Sequence, residues 1–109
     1  MDEKIYYMKD MDFFEGYDST NLSFHLKTNA NKSQLEEVVE IAHIISISSD
    51  EEEFDELMAE KNCGFYLTNI NTLKEYAGAG YSMYELIEEV AKKLGYTYKQ
   101  IDFETIEWN

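Results

Sequence analysis

Three side chains in this sequence have the chemistry to act as nucleophile or base: Cys63, His25 and His43. A cysteine nucleophile needs a base within hydrogen-bond reach and a third group that orients the base. The local patterns offer no such set. His25 stands in the alternating stretch "NLSFHLKT", and Cys63 follows a helical pattern in "LMAEKNCG". These positions suit a packed thiol and two ordinary histidines. A metal centre would want Cys or His at ligand spacing, and neither CxxC nor HxxxH occurs. "DEEEFDE" (50–56) lacks the alternating ligands and turn glycine of a calcium loop. "YAGAGYS" (76–82) lacks the Lys-Ser/Thr pair of a phosphate loop. Twenty-three carboxylates make neighbouring acids unavoidable, so no pair marks itself as general acid and base. The expectation is a protein that is not an enzyme and holds no cofactor and no metal.

What stands out instead is charge. The 109 residues carry a formal charge of −14, and ten of the 23 acids lie within residues 31–62, against two lysines. Every one of the nine basic residues is lysine. Without arginine the chain lacks the planar fork that reads phosphates and base edges, so direct nucleic-acid or nucleotide binding is not expected. An anionic membrane surface is disfavoured by the same electrostatics. A hydrophobic content of 44% with 15% aromatics sets the chain apart from disordered acidic tails and predicts a single folded domain, 1–109. The apolar stretch "IAHIISI" (41–47) is too short to span a bilayer, the N-terminus lacks the pattern of a signal peptide, and the lone cysteine suits a reducing compartment. Together these predict a cytoplasmic protein.

The elements that must position the acids follow from periodicity. "KIYYM" (4–8) and "NLSFHLKT" (21–28) read as an antiparallel pair of strands, with a turn near Gly16 and Asp18. In the second, Leu22, Phe24 and Leu26 alternate with polar residues. Ser33 with Glu36 forms a capping box ahead of a helix whose apolar face is Leu35, Val38, Val39, Ala42 and Ile45. A break is expected near His43, because Ile44 would otherwise fall on the acidic face. Ser49 with Glu52 caps a second helix carrying Phe54, Leu57 and Met58, which ends at Asn62 and Gly64. "GFYLTNI" (64–70) reads as a central strand, and "TLKEYA" as a short helical turn. Ser82 with Glu85 opens a last helix with core face Met83, Leu86, Ile87, Val90, Ala91 and Leu94, stopped by Gly95. The tail from Tyr96 reads as one bent strand or two short ones. This order predicts an α+β fold: a small, mostly antiparallel sheet with about three helices packed on it.

Seven carboxylates, Asp50, Glu51, Glu52, Glu53, Asp55, Glu56 and Glu60, crowd the second helix. The three glutamates of its first turn are favourable with the helix dipole. The others are not so explained, and Glu52/Glu56 and Glu56/Glu60 are like-charged i,i+4 pairs that weaken the helix. The eleven steps from Asp50 to Lys61 span about 16–17 Å. Duplex DNA carries one charge per ~1.7 Å, roughly ten over that length. Glu36, Glu37 and Glu40 extend the acidic surface if the first two helices pack side by side.

A ridge of this density resembles, in character, the nucleic-acid mimics that phages and mobile elements direct against restriction and CRISPR nucleases. That resemblance implies an acidic inhibitor that binds a basic, nucleic-acid-handling protein through these ten acids. With nine tyrosines the chain also resembles the immunity proteins that neutralise cationic nuclease toxins. A third reading is a small interaction or structural domain without inhibitory role.

Overall fold

A computed structural model describes residues 3–7 and 25–101 of the chain. The fold is α+β: a three-stranded antiparallel sheet with four helices. The strands are β1 (Lys4–Tyr7), β2 (His25–Thr28) and β3 (Lys99–Ile101), with β2 in the centre. Tyr6 pairs with Leu26 and Tyr7 with His25 on one side, and His25 pairs with Ile101 on the other. Side chains alternate along a strand. Leu26 and its cross-strand partner Tyr6 therefore face the helical core, while the Tyr7 ring stacks on His25 on the opposite face, 4.5 Å between centroids. The Gly16–Asp18 turn, the strand positions 8 and 21–24, and the tail beyond Ile101 lie outside the described residues.

Helix α1 (Lys32–Ile47) is the centre of the packing, lying against α4 (Met83–Lys93) on one side and α2 (Glu51–Glu60) on another. Asn31 caps it: its side chain accepts from the Gln34 amide at 2.8 Å, and Gln34 accepts from the Asn31 amide at 2.9 Å. The capping box thus stands two residues earlier than the Ser33–Glu36 pair suggested. The expected break near His43 is also absent, and the helix runs to Ile47. The reason is that α1 buries two faces. Leu35, Val38, Val39, Ala42 and Ile45 form the expected one, and Ile41 and Ile44 are buried as well. Beyond its first turn, the residues left partly or fully open to solvent are Glu36, Glu37, Glu40, His43, Ser46 and Ile47.

The segment 64–70 is helical, not a strand. It forms a 3-10 turn (Gly64–Tyr66) that runs into α3 (Leu67–Ile70), and a second 3-10 stretch, Asn71–Tyr76, follows. Its inward residues are Cys63, Tyr66, Leu67, Ile70 and Leu73, spaced at three and four. That is helical periodicity. Gly64, Phe65, Thr68 and Asn69 are exposed, and Phe65 is the large apolar side chain among them that points away.

Two helix exits share one geometry. Asn62 after α2 and Gly95 after α4 have φ of 61° and 86°. Beyond them, the Cys63 amide donates back to the Met58 carbonyl and Tyr96 to Ala91, closing Schellman turns. A reciprocal pair joins the two ends of the described chain: the Asn29 amide donates to Thr97 Oγ1 and the Thr97 amide to Asn29 Oδ1, at 2.9 and 3.0 Å. The core itself is continuous from Leu26 through Phe54, Met58, Ile70 and Leu73 to Ile87 and Val90.

Candidate functional site

Helix α2 owes its orientation to three inward residues. Phe54 and Met58 are fully buried, and Leu57 is half-buried against the same core. Fixing that face sends the acids outward, but not all to the same fate. Asp50, rather than Ser49, is the N-cap, and its carboxylate accepts from the Glu53 amide at 2.8 Å. Glu53 reaches back to the Ser49 amide at 3.2 Å and so serves the same helix start. Asp55 lies 3.9 Å from the ammonium of Lys74 on the second 3-10 stretch. Asp50 and Glu53 therefore serve the helix start, and Asp55 makes a long, partly exposed ion pair.

Glu51, Glu52, Glu56 and Glu60 remain, and all four are exposed. Glu52, Glu56 and Glu60 follow one another at i,i+4 spacing, which lines them along one side of the helix. With no core contact or cap assigned to them among the described residues, their charge is turned to solvent.

The α1 acids are distributed differently. Glu36 and Glu40 stand on the open strip of that helix, half-exposed. Glu37 faces the exit of α2 instead, where the Cys63 thiol donates to its carboxylate across 3.8 Å. Burial first, then the charges of Glu37 and Glu40, push that thiol up to about 11. Burial and Glu37 also push the Tyr66 hydroxyl upward. Helices α1 and α2 do pack together, and Glu37 meets Cys63, which follows the C-terminal end of α2. A thiol held protonated in this way is the reverse of an activated nucleophile. Among the described residues no group of three or more His, Cys, Asp or Glu side chains is placed to hold a metal ion, and no helix is long and apolar enough to cross a membrane.

Sequence reasoning passed over one residue at this end. Phe65 is 84% exposed, its ring set edge-on against Tyr66 with centroids 5.2 Å apart. The signal was present in the three-and-four spacing from Cys63 to Leu73, which leaves position 65 outside the inward face. A second exposed aromatic contact, Tyr81 stacked on Tyr76 at 4.2 Å, lies in the link before α4. No family model, no curated protein and no solved structure matches the chain.

Proposed function

We propose that the protein is an acidic inhibitor that binds a basic, nucleic-acid-handling protein, of the kind that phages and mobile elements direct against restriction or CRISPR nucleases. The observation that carries this reading is the division of labour on α2. Asp50 and Glu53 bond at the helix start and Asp55 pairs with Lys74, whereas Glu51, Glu52, Glu56 and Glu60 are exposed and make no side-chain hydrogen bond or ion pair among the described residues. Like charges at i,i+4 spacing cost a helix a few tenths of a kcal/mol per pair. A contact with a cationic groove would offset that cost and use the charge for fast, steered association. The contact surface is the outer side of α2, extended by Glu36, Glu37 and Glu40 on α1. No cofactor or metal enters this mechanism, because occlusion of a nucleic-acid groove needs only shape and charge.

The test is a pull-down and activity assay of the purified protein against restriction endonucleases, CRISPR nucleases and cationic nuclease toxins. Binding with inhibition of a restriction or CRISPR nuclease supports the proposal. Inhibition confined to nuclease toxins would move the protein to the immunity class, and binding to none would leave the acids as a solvated helix face.

A further inference from the structure

We draw no further inference here: the strongest candidate, the outer face of the sheet where Lys27 of β2 lies between Ile5 of β1, 43% exposed, and the exposed Lys99 of β3, carries nothing, because two lysines beside one isoleucine fit many occupants and nothing in the structure shows what covers them.

Discussion

The thiol of Cys63 and the carboxylate of Glu37 meet across 3.8 Å, joining the middle of α1 to the residue that leaves α2. The contact ties Glu37 of α1 to the exit of α2, and together with burial it sets the chemistry of the chain's lone cysteine. Burial and the nearby carboxylates hold the thiol protonated, with its pKa pushed up to about 11. Native protein at pH 8 should therefore react with a thiol reagent only through opening of the fold, and react at once in denaturant.

The same shift gives a pH dependence of stability. The neutral thiol is favoured in the folded state, so the contribution is fully present below the unfolded value near 9. It is lost as pH rises from there through the folded value of about 11. Denaturation midpoints measured from pH 8 to 11 should fall for the wild-type protein. They should fall less for Cys63→Ala, which removes the titrating group.

Gly78 binds the link before α4 to the junction between α1 and α2. Its φ is +74°, and a Cβ there would come within 2.5 Å of the Ser49 carbonyl oxygen. Gly78→Ala combines left-handed strain with backbone overlap and should cost about 2–4 kcal/mol. Gly80, with φ of +81° but open space around it, should lose only about 1 kcal/mol on the same change. Urea denaturation of the two variants compares them directly.

Tyr98 presents the opposite case. Its hydroxyl is buried and has no hydrogen-bond partner among the described residues, and burial drives its pKa upward. An unsatisfied buried polar group costs about 1–3 kcal/mol. Tyr98→Phe should accordingly raise stability by about 1 kcal/mol, read as a higher urea midpoint at unchanged slope.

The sequence foretold those parts of the fold that periodicity determines. The last helix was legible because Met83, Leu86, Ile87, Val90 and Ala91 make one face and Ser82 and Gly95 mark its ends, as observed. Phe54 and Met58 were likewise correctly placed inward. Caps were harder to read, because "NANKS" and "SSDEEE" each offer several competent residues and only geometry chooses Asn31 and Asp50. Asp50→Ala should thus cost about 1 kcal/mol, and Ser49→Ala much less, in the same denaturation assay. The strand expected over 64–70 is helical instead, because Phe65, Tyr66, Leu67 and Ile70 in a short stretch fit either element and the exposed Phe65 obscures the three-and-four spacing. The burial of Ile44 is not in the local pattern for a different reason: which neighbouring elements cover a second face of α1 is a tertiary fact. Of the candidate site, the concentration of acids was legible. Its sorting into Asp50 and Glu53 at the helix start, Asp55 paired with Lys74, and the exposed Glu51, Glu52, Glu56 and Glu60 required the structure.

The central claim is that the exposed acids of α2 make the contact. The decisive measurement is the affinity for the captured nuclease, as a function of salt, of the wild-type protein and of the variant carrying Glu52→Lys, Glu56→Lys and Glu60→Lys. These side chains are exposed, so the variant should unfold within about 0.5 kcal/mol of wild type. Wild-type binding should weaken steeply as salt rises and screening shortens to about 8 Å at physiological strength. The variant should lose binding and inhibition at all salts, while Glu88→Lys with Glu89→Lys on α4 should keep both. Full inhibition by the α2 variant, with the wild-type salt dependence, would contradict the account.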